Sequence, residues 1–313
     1  MYSHIRIRNK QQIDNIGNTA MDWVINNLEY FDLQHNISNS FRWHLKTYVE
    51  LVFLSNYLIR TSLWKHDSRL DIIIDFIKDT WEKSNLTELI HRDPDGLAGL
   101  AILAEFAREI NYQDNSLSFT LEKFRRFNYI ELLKKIPFRM MDLKYSLERA
   151  GIESNLPSYK SLYNQTVAGK RASIPFMSTM DIYSVTHTIF YLTDMGNRPI
   201  EQILTTKEKL YLQKLVLQLL SVSLRQKNLD TAGELIMCCR FLDISKENES
   251  NRLLFQTFWD LLKYSQMAEG SIPSPTYQPN NEEYSESENE YIFKHCYHST
   301  LVIIGSITSW QLI

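Results

Sequence analysis

The sequence is poor in glycine, proline and cysteine. Only 9 Gly and 8 Pro occur among 313 residues, which disfavours architectures made of many strands and tight turns. The three cysteines are odd in number, and Cys238 and Cys239 are adjacent, so the chain does not carry a disulfide framework. We expect a reducing, cytoplasmic compartment.

A concentrated run of charge is also missing. The chain has 34 Lys and Arg against 37 Asp and Glu, a formal net charge of -3, and the two signs are interspersed along the sequence. Because a protein that binds nucleic acid needs a concentrated basic face, we predict no nucleic-acid partner.

No hydrophobic run is long enough to cross a membrane. Residues 1–12 contain no apolar segment of the kind found in secretory signals. The most apolar stretch, residues 299–313, is short and includes several hydroxyl side chains, whereas a spanning helix needs about 20 apolar residues. We therefore predict no membrane partner, and we interpret this stretch as a helix of the core.

The motifs of several enzyme classes are absent as well. The sequence has no GxxxxGKS or GxxxxGKT loop, no GxGxxG loop, no HExxH pair, no GxSxG nucleophile and no DDxxD cluster. Nucleotide hydrolysis, serine hydrolysis and the ionisation of prenyl diphosphates are therefore disfavoured.

Helical periodicity, by contrast, runs through almost the whole chain. Hydrophobic residues make up 44% of the sequence, and they recur at the spacing of an amphipathic helix. The pattern predicts an all-α fold with about a dozen helices arranged in hairpins. Gly96, Ala98 and Gly99 would make one helix thin enough for close approach. We predict that such helices form the inner ring of an α/α toroid-like single domain, with an open α-superhelix as the alternative.

The periodicity is interrupted in two places. Residues 153–176 are rich in proline and small polar residues. We interpret them as a linker within one structural domain, between an N-terminal helical half, residues 1–152, and a C-terminal helical half, residues 177–313, that carries the candidate site. Residues 270–287 are crowded with Pro, Ser, Asn and Glu, and we predict that they are poorly ordered or act as a lid.

Polar residues stand among the apolar residues of the segment 181–197. Tyr183, His187 and Asp194 share one face of the predicted helix. His187 and Asp194 are two turns apart, about 11 Å along the axis, which is too far for a direct pair. We predict catalytic roles for His187 and Asp194 in a site that another helix must complete.

Two further segments supply the missing groups. His295 and His298 are one turn apart on the predicted last helix, and Glu234 lies on a helix with small neighbours. His298 is the third predicted catalytic residue, since imidazole transfers protons near neutral pH. The candidate ligands of a metal ion such as Zn²⁺ are His187, His295, His298 and Glu234. Each of these side chains could instead be a hydrogen-bonded residue of the core.

Two blocks of the sequence resemble a bacterial family of helical proteins that is described as a domain of unknown function. The first block is THTIFYLTDMG, residues 186–196, and the second is HCYHSTLV, residues 295–302. Met195 stands where the family pattern has an aromatic residue, and Ser299 stands where it has threonine. The resemblance implies a helical protein with a role beside peptide or secondary-metabolite biosynthesis, and it favours the candidate residues on which both blocks are centred.

Two functions fit these observations. As an enzyme, the chain would use its histidines and a carboxylate, with or without a metal, on a peptide-like or other small polar substrate in bacterial secondary-metabolite biosynthesis. As a non-catalytic scaffold, it would bind a peptide or a partner protein in a groove lined by some of its 17 Tyr and 15 Phe side chains.

Overall fold

The computed structural model describes residues 2–33, 41–84, 86, 96–133, 135–279 and 287–311. These residues contain thirteen α-helices and no strand. In chain order the helices are α1 (Tyr2–Asn26), α2 (Phe41–Ile59), α3 (Ser68–Lys83), α4 (Leu97–Glu109), α5 (Asn115–Arg126), α6 (Tyr129–Leu132), α7 (Pro137–Arg149), α8 (Tyr159–Tyr163), α9 (Thr179–Leu192), α10 (Thr206–Arg225), α11 (Leu229–Phe241), α12 (Glu249–Ser265) and α13 (Glu288–Gln311). Single 3₁₀ turns lie at Leu28–Phe31, Ile174–Phe176 and Ile200–Gln202.

Six of the helices form a closed inner ring. In order around the ring, α2 packs against α4, α4 against α7, α7 against α9, α9 against α11, and α11 against α13, which packs back against α2. The helices α1, α3, α5, α8, α10 and α12 pack on the outside of this ring. The closure confirms the all-α, toroid-like fold that the sequence predicted, and it rules out the open α-superhelix.

Both halves of the chain contribute to the ring. The helices α2, α4 and α7 precede residues 153–176, and α9, α11 and α13 follow them. The segment 153–176, which the sequence predicted to be a linker, contains the short helix α8 and one 3₁₀ turn. It lies between the third and the fourth helix of the ring.

The inner helices run in a common direction. In the N-terminal and central turns of these helices, the Tyr183 hydroxyl of α9 donates a hydrogen bond to Asp230 of α11, and Asp230 is hydrogen-bonded to His298 of α13. At the opposite end, Arg60 directly after α2 pairs with Asp194 directly after α9. Because the N-terminus of every helix carries a partial positive charge, the N-terminal end of the ring is the electropositive end of its backbone.

Helix α9 has sharply defined ends. Ser178 and Asp181 form a capping box in which each side chain accepts a hydrogen bond from the backbone N–H of the other residue. After the helix, residues 194–196 all have positive φ angles of 47°, 53° and 89°. At Gly196 an added Cβ would lie 2.6 Å from the ring of Phe241, so only glycine fits there. The helical face therefore does not continue as far as residue 194.

Helix α11 is the most deeply buried element of the ring. Of its thirteen residues, all except Arg240 are buried. Gly233 allows α13 to approach closely, and the Ser306 hydroxyl of α13 donates a 2.9 Å hydrogen bond to the Gly233 carbonyl oxygen. A side chain of α13 therefore contacts the backbone of α11 directly.

The C-terminal stretch of the chain forms the second half of α13. Nearly all residues from Ser299 to Ser309 are buried, as a helix of the core requires. No helix in the described ranges is long and apolar enough to cross a membrane.

The polar loop before α13 is packed along the part that the structure describes. Ile272 is fully buried, and the backbone N–H of Ser274 donates a 3.0 Å hydrogen bond to the carbonyl oxygen of His295. This packing differs from the poorly ordered loop or lid predicted for residues 270–287, because apolar and backbone contacts anchor residues 270–279. The rest of that prediction concerns residues 280–286, which lie outside the described residues.

The contact between α11 and α13 can be tested at Gly233. In the interior of a helix alanine is favoured over glycine by about 1 kcal/mol. An added Cβ at Gly233 would, however, lie 2.7 Å from Val302 Cγ1 and 3.0 Å from Ser306 Oγ. We expect Gly233→Ala to lower the free energy of unfolding by about 1–3 kcal/mol in urea denaturation, because the site is overpacked.

The matched control is Gly17→Ala. Gly17 lies in α1, where an added Cβ would meet a side-chain methyl of Ile307 at 3.3 Å, and that methyl group can move. We expect a smaller loss of stability than for Gly233→Ala. A Gly233→Ala protein as stable as the wild type would contradict the close approach of α11 and α13.

Candidate functional site

A cavity of about 490 Å³ lies at the centre of the ring, and all six inner helices or the residues next to them contribute to its wall. The charged and imidazole side chains come from the N-terminal and central turns, and they are Lys46, Glu50, Lys135, Arg139, Asp142, His187, Glu234 and His298. Apolar and aromatic side chains line the rest, among them Leu54, Tyr57, Phe190, Tyr191, Met237 and Leu301. The cavity is therefore polar at one end and apolar along most of its wall.

The first polar group at this end is the His298 imidazole. Its Nδ1 lies 2.7 Å from Asp230 Oδ1, and the Tyr183 hydroxyl donates to the other oxygen of the same carboxylate. Nε2 lies 4.0 Å from Glu50 Oε1, beyond hydrogen-bond distance. The His298 imidazole is thus held through Nδ1, and its Nε2 faces Glu50.

The surroundings of His298 fix its charge. Burial by itself lowers the pKa of His298, but the carboxylates of Asp230 and Glu50 outweigh burial and raise the pKa to about 10. Burial likewise opposes ionisation of Asp230, but the His298 imidazolium lowers the pKa of that carboxyl. The pair is an imidazolium and a carboxylate at neutral pH.

Tyr183 remains a hydrogen-bond donor in this arrangement. Burial and the carboxylates of Asp230 and Glu234 raise the pKa of Tyr183 far above its usual range. The phenol therefore stays protonated and holds Asp230 in place.

The second imidazole is that of His187, one turn after Tyr183. Its Nε2 lies 3.5 Å from Glu234 Oε1. The other oxygen of Glu234 accepts a 2.5 Å hydrogen bond from the Thr186 hydroxyl. Nδ1 of His187 is buried and has no hydrogen-bond partner among the described residues. Glu234 is thus anchored by Thr186 and lies where it can orient His187.

Aromatic rings surround His187. The centroids of Phe138, Phe190, Tyr183 and Tyr191 lie between 5.7 and 6.1 Å from the centroid of the imidazole. These rings cover most of the imidazole, whose side chain is 21% exposed.

Glu50 on α2 was not predicted from the sequence. It lies 3.6 Å from Lys46 Nζ and raises the pKa of both Tyr297 and His298. A single acidic residue in the apolar run YVELVFL was the available signal. Asp230, one turn before the predicted Glu234 on α11, is the carboxylate that pairs with His298.

Asp194, a predicted catalytic residue, lies outside the cavity wall. Its Oδ1 lies 3.1 Å from Arg60 Nη1 and accepts a 3.0 Å hydrogen bond from the Tyr145 hydroxyl. Arg149 lies 3.9 Å from its Oδ2 and also pairs with the buried Glu105. This ion network connects the C-terminal ends of α2, α4, α7 and α9, because the left-handed turn after α9 directs Asp194 away from His187.

His295 is also separated from the other candidate residues. Its Nδ1 lies 2.9 Å from Thr276 Oγ1, and its ring lies 4.4 Å from that of Tyr291. Positions three residues apart differ by about 60° around the helix axis, so His295 faces the loop before α13 while His298 faces the cavity.

The four predicted metal ligands therefore do not converge on one point. His187, Glu234 and His298 share the cavity, and His295 does not. Across the described ranges, no three His, Cys, Asp or Glu side chains are grouped as the ligands of a metal ion would be. The three cysteines are buried thiols.

Comparisons with known proteins place this geometry in context. No curated protein matches the chain. Among solved structures, the type II terpene cyclase MstE from Scytonema is similar. One of its variants, in complex with geranylgeranyl dihydroxybenzoate as substrate, has a TM-score of 0.53 at 10% identity and covers 98% of this chain and 99% of its own.

A second variant of that cyclase, in complex with merosterolic acid A as product, has a TM-score of 0.50 at 11% identity, with 97% and 98% of the two chains covered. At such low identity these likenesses show the fold alone. The sequence itself matches a family, described as a domain of unknown function, over residues 17–307. The chain therefore belongs to the family DUF6895.

Proposed function

We propose that the protein is an enzyme that binds a small lipophilic molecule with an acidic head group and transfers protons on it. One observation carries the proposal. Two imidazoles, each next to a buried carboxylate, lie at one end of a largely apolar cavity. Such a combination suits a ligand whose body is apolar and whose reacting part is polar.

The cavity wall favours a lipophilic body for the ligand. A volume of about 490 Å³ is in the range of pockets that enclose small organic molecules. Side chains such as Leu54, Phe190 and Met237 offer few hydrogen bonds to a peptide backbone. The wall therefore favours a lipophilic substrate over the peptide-like or small polar one that the sequence suggested.

The polar end favours an acidic head group. His298 is an imidazolium at neutral pH, since its pKa is about 10. Its Nδ1 pairs with Asp230 at 2.7 Å, whereas its Nε2 lies 4.0 Å from Glu50. Lys46, Lys135 and Arg139 line the same cavity, with Lys46 beside Glu50 and Arg139 beside Asp142. A carboxylate on the ligand would accept a charge-assisted hydrogen bond from His298.

We assign the proton transfer to His187. Glu234 is fixed by Thr186 and would hold the Nε2–H tautomer of the imidazole, so that Nδ1 is the basic atom. A modest movement of the ring would bring Nδ1, which is buried without a partner, against a bound substrate. His187 would then remove a proton from one position of the substrate and return it to another, which leaves the formula unchanged.

The strength of the acids in the cavity indicates which position of the substrate they can protonate. An isolated alkene is a very weak base, so its protonation needs a carboxylic acid without ionic partners. The cavity carboxylates Asp142 and Glu50 lie near Arg139 and Lys46, respectively, and Glu234 is held by the Thr186 hydroxyl and His187. We therefore infer proton transfer at a carbon or oxygen already activated by the head group.

The similar cyclase supports the ligand class. It binds geranylgeranyl dihydroxybenzoate, a lipophilic chain attached to an acidic ring, in a protein with the same fold. We propose that the present protein takes a molecule of this general kind, and that its reaction belongs to the biosynthesis of a natural product.

Binding can be tested with two probes that differ in one group. The probes are geranylgeranyl dihydroxybenzoate and the same molecule without its carboxylate. We expect calorimetry to show about tenfold or more tighter binding of the acid by the wild type, because a hydrogen bond to an ion is lost without it. His298→Gln should bind both probes equally, and the matched variant His66→Gln, at an exposed position, should discriminate as the wild type does. Equal binding of both probes by the wild type would contradict the role of His298.

Proton transfer can be tested by isotope exchange. In D₂O, mass spectrometry should detect carbon-bound deuterium in the bound acid probe with the wild type. We expect His187→Asn to slow the incorporation by about 100-fold or more, with probe affinity retained and the His66→Asn control unaffected. Tight binding without any incorporation by the wild type would favour the non-catalytic scaffold.

The charge of His298 predicts a pH dependence of stability. Its pKa in the folded protein, about 10, lies above the ordinary value of 6.5. The pair with Asp230 therefore contributes fully below pH 6.5 and loses its contribution as the pH rises through 10. The difference in unfolding free energy between the wild type and His298→Gln should fall by at least about 1 kcal/mol between these pH values in urea denaturation. A difference that is constant over this range would contradict the raised pKa.

A further inference from the structure

The apolar end of the cavity contains a hydroxyl group that has no partner. Tyr57 lies in the last turn of α2 and lines this end together with Leu54, Met195 and Met237. It is 3% exposed, and its hydroxyl makes no hydrogen bond to any residue that the structure describes. Because buried polar groups in folded proteins are hydrogen-bonded with few exceptions, this hydroxyl stands out.

Other buried tyrosines of the protein do have partners. Tyr48, on the same helix, donates a 2.8 Å hydrogen bond to the carbonyl oxygen of Ile77. Tyr191 is the second tyrosine in the cavity wall, and a hydrogen bond to the Asp142 carboxylate helps to raise its pKa. Among the described residues that line the cavity, Tyr57 therefore carries the hydroxyl that is available to a ligand.

The Tyr57 hydroxyl is a hydrogen-bond donor at neutral pH. Burial raises the pKa of Tyr57 well above its usual range, so the phenol stays protonated. The positive charges of Arg60 and Arg240 oppose this effect in part. Since nearby positive charge favours the phenolate, it also makes the phenol a stronger donor. The group is therefore suited to an oxygen acceptor on a ligand.

Tyr57 and His298 lie at different ends of the cavity. Tyr57 follows Glu50 by seven residues on α2, which is about 11 Å along the helix axis. Glu50 lies 4.0 Å from His298 Nε2. The ring centroid of Phe241, the last residue of α11, lies 6.4 Å from that of Tyr57. A ligand that contacts both Tyr57 and His298 therefore needs two polar groups separated by an apolar chain.

Flexible side chains lie near Tyr57 at this end of the cavity. Gly196, next to Met195 in sequence, lies against the ring of Phe241, and Met237 is one turn before Phe241 on α11. Both methionines line the cavity. Methionine side chains are unbranched and adapt their shape readily. A small movement of either one would make room for a ligand atom beside the Tyr57 hydroxyl.

We propose that Tyr57 donates a hydrogen bond to an oxygen atom at the far end of the lipophilic ligand. The protein would thus select a molecule with an acidic group at one end and a hydroxyl, carbonyl or ether oxygen at the other. A chain that ends in a hydrocarbon would leave the phenol unpaired. This inference rests on the proposed function, because His298 binds the acidic group, and it adds a second polar group to the ligand. Tyr57 determines specificity and takes no part in the proton transfer.

The test compares two acids that differ in one oxygen atom, dodecanoic acid and ω-hydroxydodecanoic acid. We expect calorimetry to show that the wild type binds the hydroxy acid at least as tightly as dodecanoic acid. Tyr57→Phe should bind the hydroxy acid about tenfold or more weakly than the wild type does, because the ligand hydroxyl is then buried without a donor. Binding of dodecanoic acid should stay within about twofold of the wild type.

The matched control is Tyr48→Phe, the same substitution on the same helix at a position outside the cavity wall. It should bind both acids within about twofold of the wild type. The melting temperatures provide a readout without ligand. Tyr57→Phe should melt no lower than the wild type, since the hydroxyl that it loses has no partner. Tyr48→Phe should melt at a lower temperature, because the hydrogen bond to Ile77 is lost.

The outcomes separate this inference from the proposed function. If Tyr57→Phe changes the binding of the two acids by the same factor, the inference is overturned, even where His298→Gln weakens both acids and so confirms the acid-binding role of His298. If His298→Gln leaves both acids unaffected and Tyr57→Phe still weakens only the hydroxy acid, the role of His298 fails and the contact with Tyr57 stands. Absence of binding of either acid to the wild type overturns both.

Discussion

Two buried carboxylates on one helix fix the arrangement of the candidate site. Asp230 and Glu234 are one turn apart on α11 and are 7% and 2% exposed. A carboxylate taken out of water is strongly unfavourable unless it is hydrogen-bonded or paired. Tyr183 and His187 from α9 and His298 from α13 lie next to these two carboxylates. The register of three helices, and with it the position of both imidazoles, follows from that requirement.

Because the inner helices run in a common direction, the charged groups of the cavity lie at one end of the ring and the ion network that connects the helices lies at the other. Their N-terminal and central turns bring the charged groups to one end of the cavity. Their C-terminal ends are tied together by Arg60, Glu105, Arg149 and Asp194. One end of the ring is therefore suited to binding and chemistry, and the opposite end holds the helices together.

One short block of the sequence contributes residues to both ends of the ring. In residues 186–196, His187 lies on the cavity wall, whereas Asp194 belongs to the ion network below it. Both residues are polar and both stand in an apolar context, so the pattern alone gives them the same interpretation. The distinction comes from the left-handed backbone after α9, which turns Asp194 away from the helical face on which the sequence places it.

The sequence by itself determined that the chain is helical, because the spacing of apolar residues is a local property of each helix. It favoured an inner ring of helices but left an open α-superhelix as the alternative. It also singled out His187, Glu234 and His298, since polar side chains on apolar faces stand out without a structure. Only the tertiary structure decided that Asp230 binds His298, that Glu50 from a distant helix faces the same cavity, and that His295 and Asp194 do not. The physical reason is that pairing depends on distances between helices far apart in the chain, and these distances are set by closure of the ring.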